Sequence, residues 1–177
     1  MKKWLGARIT DCVGQTPIVQ LLSVTAGVRP PVFAKVESLN PGGSIKDRVA
    51  LFMCQQAAGR GDLTPGACIV ECTSGNTGIG IALYAASHGH PCIVVMSDKQ
   101  SPEKISILKA MGAEVVLCPA TAAVGADNHY RTVGRKLATA IGGFFVNQYD
   151  NPDNPLAHYR TTGPEIHAQM GGGIGAL

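Results

Sequence analysis

Residues 68–96 read CIVECTSGNTGIGIALYAASHGHPCIVVM, and this stretch decides the fold. Cys68 to Cys72 is a short apolar run of the length of a buried strand. A Gly-rich turn follows, then an apolar helix through Ser87, and Cys92 to Met96 is a second run of fully buried strand type. Strand, turn, helix and strand in 29 residues make a βαβ unit, whose two strands must lie parallel.

The same alternation continues on both sides. Upstream, Val32 to Val36 reads as a strand, and Asp47 to Arg60 as a helix with Val49, Phe52 and Met53 on one face, closed by Gly61. Downstream, Ser101-Pro102 opens a helix with Ser at the N-cap and Pro in the first turn. Ile105, Leu108 and Met111 line its apolar face, and Gly112 ends it. Glu114 to Leu117 is the next strand. Tyr130, Val133, Leu137 and Ile141 recur at helical spacing before Gly142-Gly143, and Phe144 to Val146 is a further short strand. Pro152 and Pro155 punctuate a loop, and a last helix spans 156–170. The pattern predicts an α/β fold, a mostly parallel sheet with helices on both faces.

Composition narrows the function classes. Of 177 residues, 45% are hydrophobic and 15% charged, too apolar for a disordered chain. The net charge of +3 gathers into no basic patch, which argues against nucleic acid as a partner. No apolar run reaches membrane-spanning length, and Arg8 interrupts the segment after Lys2-Lys3 before it can serve as a signal peptide, so the expected location is cytoplasmic. The six cysteines form no C-x-x-C pair, and the five histidines show no metal spacing beyond His88-x-His90 at a turn, so no metal site is expected. Cysteines inside apolar runs read as small core residues.

Two turns could carry chemistry. Asn40-Pro41-Gly42-Gly43-Ser44-Ile45-Lys46-Asp47-Arg48 places a lysine where a helix opens. The positive end of the helix dipole there favours the free amine that attacks a carbonyl. A lysine in a first turn is equally an ordinary surface residue, and this turn alone does not decide between the two. Thr73-Ser74-Gly75-Asn76-Thr77-Gly78 joins a buried strand to a helix, where converging backbone N–H groups and hydroxyls suit a carboxylate or phosphate. Hydroxyl capping with glycines for the tight turn explains it as well. A dinucleotide site would place an acidic residue near Asp98. However, the glycines run G-x-x-G-x-G at 75, 78 and 80, the wrong order for that fingerprint.

Taken together, the motifs resemble the cysteine synthase/cystathionine β-synthase family of fold-type II pyridoxal-phosphate enzymes. The matching stretches are Gly14-Gln15-Thr16-Pro17, Asn40 to Arg48, Thr73 to Gly78, Asp98-Lys99-x-Ser101-x-Glu103-Lys104, and the run from Asn151-Pro152 through His158-Tyr159 to Thr161-Thr162-Gly163-Pro164-Glu165-Ile166. The resemblance implies a tryptophan synthase β-like architecture. Residues 1–37 then belong to a larger domain, 38–150 form a smaller α/β domain, and 151–177 begin the larger domain again.

It also implies that Lys46 forms the Schiff base with pyridoxal 5′-phosphate and is the catalytic base. Asn76 then bonds the cofactor ring's 3′ oxygen. Thr73, Ser74, Asn76 and Thr77 clamp the substrate carboxylate, joined by Gln148 from Asn147-Gln148-Tyr149. The reaction implied is β-replacement: serine, O-acetylserine or O-phosphoserine exchanges its β substituent for a thiol or sulfide, giving cystathionine or cysteine. The 98–104 stretch leans towards homocysteine as nucleophile. A serine/threonine dehydratase and an inactive remnant of a synthase are the alternatives. The resemblance further implies a homodimer at full length. It places the cofactor-phosphate loop beyond residue 177, so this stretch alone is expected to hold the cofactor weakly.

Overall fold

The computed structural model describes residues 7–73 and 75–176. At its centre lies a four-stranded, wholly parallel sheet in the order β5–β4–β3–β6. The strands are β3 (Ile69–Cys72), β4 (Cys92–Ser97), β5 (Glu114–Cys118) and β6 (Phe144–Phe145). β3 pairs with β4 in the register Ile69 to Cys92, as the βαβ reading requires. All four residues of β3 are buried, as suits one of the sheet's two inner strands.

Helices cover both faces. On one lie α1 (Lys46–Arg60), α2 (Asn76–His88) and α3 (Pro102–Ala110), packed into a core that includes Met53, Ile69, Ile81, Val94, Met96 and Leu108. On the other, α4 (Tyr130–Ile141) packs on Val70, Cys72, Val95 and Cys118. The buried ridge of α1 is Val49, Ala50, Met53, Cys54 and Ala57, with the expected Phe52 at its half-buried edge. Along α4, Tyr130, Val133 and Leu137 face the sheet as their spacing predicts, but Ile141 emerges into solvent at the last turn. Cys54, Cys72, Cys92 and Cys118 are buried as core residues.

Two glycines set how closely the layers approach. A Cβ on Gly80 of α2 would lie 2.8 Å from the Ala50 Cβ and 3.1 Å from the Lys46 carbonyl oxygen. A Cβ on Gly134 of α4 would collide with the Cys72 sulfur. The first contact seats the N-terminal turn of α1, and Lys46 with it, directly on α2.

Two features depart from the sequence reading. The strand expected at 32–36 is β2 (Val32–Lys35), which stays out of the main sheet and pairs antiparallel with β1 (Ile18–Leu21). The helix expected at 156–170 begins earlier and changes pitch. It consists of α5 (Asp153–Ala157), one π-helical turn (His158–Thr162) and α6 (Gly163–Gln169). Pro155 falls in the first turn of α5, where its missing N–H leaves no hydrogen bond unmade, so it does not bar the earlier start.

Candidate active site

The site lies where parallel strands end. β3 has β4 on one side and β6 on the other, and the loops after β3 and β6 leave side by side from their carboxyl ends. In open α/β sheets, ligands bind in the crevice at such a reversal of strand order. Here the crevice is an open cavity of about 340 Å³ lined by Lys46, Thr73, Gly75, Asn76, Thr77, Lys104, Gln148 and Tyr149.

Five of the six residues expected from the sequence therefore meet in one cavity, although 102 positions separate Lys46 from Gln148. The sixth, Ser74, lies outside the described residues. Lys46 is the first residue of α1, and its backbone N–H donates to Ser44 Oγ at 3.1 Å. The loop before it is pinned by Asp47, whose Oδ2 accepts from the Gly42 N–H at 2.6 Å. Burial raises the Asp47 carboxyl above its ordinary pKa. Asn76 and Thr77 are the first two residues of α2, so their backbone N–H groups are among the four a helix leaves unpaired at its start.

A polar chain lines the cavity floor. The Thr77 hydroxyl donates to Gln148 Oε1 at 2.6 Å, and Gln148 Nε2 donates to the Cys72 carbonyl at 3.1 Å and to Glu71 Oε1 at 3.3 Å. Asn147, at φ 53°, occupies the left-handed region that asparagine tolerates, in the turn that carries Gln148. Asn154 Nδ2 closes this turn on the Gln148 carbonyl at 2.8 Å.

The motifs at 14–17, 40, 48 and 165 do not enter the cavity. They build a charged hub behind α1. The Arg48 side chain, 2% exposed, spans Glu37 and Glu165 with nitrogen–oxygen distances of 2.7 Å to each. Lys35 meets Glu165 at 2.6 Å, and the Thr16 hydroxyl donates to Glu37 at 2.6 Å. Gly14 N–H donates to Asn40 Oδ1 at 2.8 Å. Against the cost of burial, bonds from Arg48 and Lys35 hold the Glu165 carboxyl down at about 2. Asp98, the residue a dinucleotide site would need, is spent locally, accepting from the Ala120 N–H at 2.9 Å.

A model of the pyridoxal-phosphate dependent enzyme family matches residues 9–177. The chain belongs to that family. Its cofactor is accordingly pyridoxal phosphate, and Lys46, Asn76 and the adjoining helix N-terminus offer an amine, an amide and N–H donors in one cavity of suitable chemistry. The chain is 45% identical over 172 residues to a cystathionine beta-synthase of Apis mellifera, covering 96% of this chain and 34% of that protein. It is 41% identical over 169 residues to a cysteine synthase 1 of Emericella nidulans, covering 96% of this chain and 46% of that protein. The crystal structure of O-ureido-L-serine synthase superposes with a TM-score of 0.86 at 42% identity, over 95% of this chain and 52% of that one. The chain thus spans about a third to a half of the relatives it matches. No helix among the described residues is long and apolar enough to cross a membrane.

Sequence reasoning did not single out Lys104 and Tyr149 of the cavity wall, or Glu71 below it. Lys104 lies inside a motif already singled out, but helical spacing alone did not aim it at the loop; its ammonium comes within 3.2 Å of the Cβ position of Gly75. Tyr149 directly follows Gln148 and carries the Arg131 guanidinium 4.5 Å over its ring. Glu71, directly beneath the cavity, reads in sequence as a polar interruption of a buried strand, and that interruption is the signal that could have found it.

Proposed function

We infer that this chain contributes the lysine and the substrate-carboxylate side of a pyridoxal-phosphate enzyme catalysing β-replacement on a serine-type amino acid. The observation that carries the reading is the convergence of Lys46, Asn76, Thr77 and Gln148 on one cavity at the strand-order reversal. All of the relatives named above bear synthase names. When bound, the cofactor supplies an electron sink for the pair left at Cα when a proton departs.

The chain's own residues do the rest. Lys46 Nζ would hold the cofactor, and as a free amine it would be the base for the substrate Cα proton. Asn76 orients the ring through its side-chain amide. The backbone N–H groups of Asn76 and Thr77, at the positive end of α2, receive the substrate carboxylate, with Thr73 and Ser74 as further donors and Gln148 holding Thr77 in place at that end of the cavity. The Thr77 hydroxyl donates its proton to Gln148, so Thr77 meets the carboxylate through its backbone. The nucleophile is a thiol or sulfide. In this reading residues 38–150 form the smaller of two domains, flanked by segments of the larger.

Borohydride trapping tests the reading, because reduction accumulates even a weakly held adduct. Treating the chain with pyridoxal phosphate and borohydride should add one pyridoxyl group, on the peptide containing Lys46, and Lys46→Ala should lose it. Labels spread evenly over the surface lysines would defeat the assignment. Serine supplied with and without a thiol then reports the reaction class: thioether supports replacement, and pyruvate in its place indicates elimination.

A further inference from the structure

Among the described residues, Glu71 is the largest ionisable side chain with no exposed surface, and the chemistry above leaves it unused. It is 0% exposed, on the inner-sheet strand β3, and has no salt bridge among the described residues. Its Oε1 accepts from the Cys72 N–H at 2.7 Å and from Gln148 Nε2 at 3.3 Å, and its Oε2 accepts from the Gln148 backbone N–H at 3.3 Å. One carboxylate therefore grips Gln148 by main chain and side chain together.

We propose that Glu71 is the positioning residue that fixes the direction of the Gln148 amide, and through it the hydroxyl of Thr77, at the anion end of the cavity. This rests on the reading of that cavity as the substrate-carboxylate site. An amide has two faces of similar shape and opposite polarity. With Glu71 ionised, the Gln148 NH₂ points to Glu71 and to the Cys72 carbonyl, and Oε1 is left to take the Thr77 proton. With Glu71 protonated, the hydroxyl can donate to the Gln148 oxygen, which favours the reversed amide. The NH₂ then points at Thr77, whose own proton is released towards the cavity. The Cys72 carbonyl opposes that reversal, so the two arrangements are balanced by the charge on Glu71.

The setting makes this titration accessible. Burial pushes the Glu71 carboxyl up to about 7, partly offset by the donated bonds and by Arg131. The groups facing it from neighbouring elements are Cys54 of α1, Cys72 beside it on β3, Cys92 of β4, Arg131 of α4, and Tyr149 after β6. Burial pushes the thiols of Cys72 and Cys92 up to about 12, and raises Cys54 and Tyr149 as well. Those four stay neutral while Glu71 changes state.

The experiment follows the Gln148 side-chain NH₂ resonances of the ¹⁵N-labelled 177-residue chain from pH 5.5 to 9, alongside the ¹³C carboxyl resonance of Glu71. The expected result is a shared titration step with its midpoint near 7, with the Gln148 step lost in Glu71→Gln. A Gln148 signal that stays flat in the native chain overturns the proposal, without reference to how any variant folds. So does a Glu71→Gln variant with a native backbone spectrum that keeps the step. No cofactor is needed, so a failure of borohydride trapping at Lys46 would count against the catalytic reading and not against this pairing.

Discussion

At the scale of single residues, the site depends on a side chain that never touches it. Arg48 uses both edges of its guanidinium, on Glu37 and on Glu165, and so joins α1 to the segment before it and to α6. Removing one member of such a buried network leaves the other charges unpaired in a dry setting. Arg48→Ala is therefore expected to cost about 3–5 kcal/mol of stability, read from urea denaturation. Arg48→Lys keeps the charge but not the planar fork, and should recover only part of that loss. Equal stability of the lysine variant and the native chain would show that charge alone, and not the fork, holds the hub.

At the scale of elements, the decisive contact is α1 on α2. Gly80→Ala inserts a methyl where 2.8 Å separates its position from the Ala50 Cβ, so the helices must part. Overpacking of this kind costs about 1–3 kcal/mol. Because the Lys46 carbonyl is the second atom met, the variant should also trap less pyridoxal phosphate at Lys46 than Gly59→Ala, where a Cβ meets nothing. Equal trapping in the two variants would remove the argument that this contact seats the lysine.

The same scale shows what the chain disclosed. The parallel strands and α1 to α4 were legible because each buries a run or stripe with a clear period, as Leu108 does between Ile105 and Met111. Lys46, Asn76 and Gln148 were legible through family motifs, and only folding showed that they share a cavity. β1 was missed because its residues are exposed or half-buried, leaving no alternation to read. The π-helical turn left no mark in hydrophobic period. The polar chain from Glu71 to Thr77 was hidden because its members stand 77 and 71 positions from Gln148.

At the scale of the whole molecule, two carboxyls, Glu165 half-buried and Glu71 fully buried, pull stability in opposite directions with pH. Glu165 is held at about 2, below its ordinary 4.5. Its depressed value means that the hub's contribution is full above about 4.5 and drains away as pH falls towards 2. Glu71 is raised from 4.5 to about 7. Its raised value means that the neutral form's advantage is full below about 4.5 and is lost as pH rises through 7. The measurable quantity is a difference between variants, in which groups whose surroundings the substitution leaves unchanged cancel. Glu71→Gln cannot ionise, so its stability relative to the native chain should rise on going from pH 4.5 to 8. At 1.36 kcal/mol for each pH unit between the two values, the rise is on the order of 3 kcal/mol. For Arg48→Ala the deficit should shrink below pH 4.5, as Glu165 protonates. Urea midpoints of the three proteins at pH 3, 4.5, 6 and 8 separate the two effects. If Glu71→Gln runs parallel to the native chain from 4.5 to 8, Glu71 is not titrating inside the fold, and the coupling drawn between its charge and the Gln148 amide fails with it.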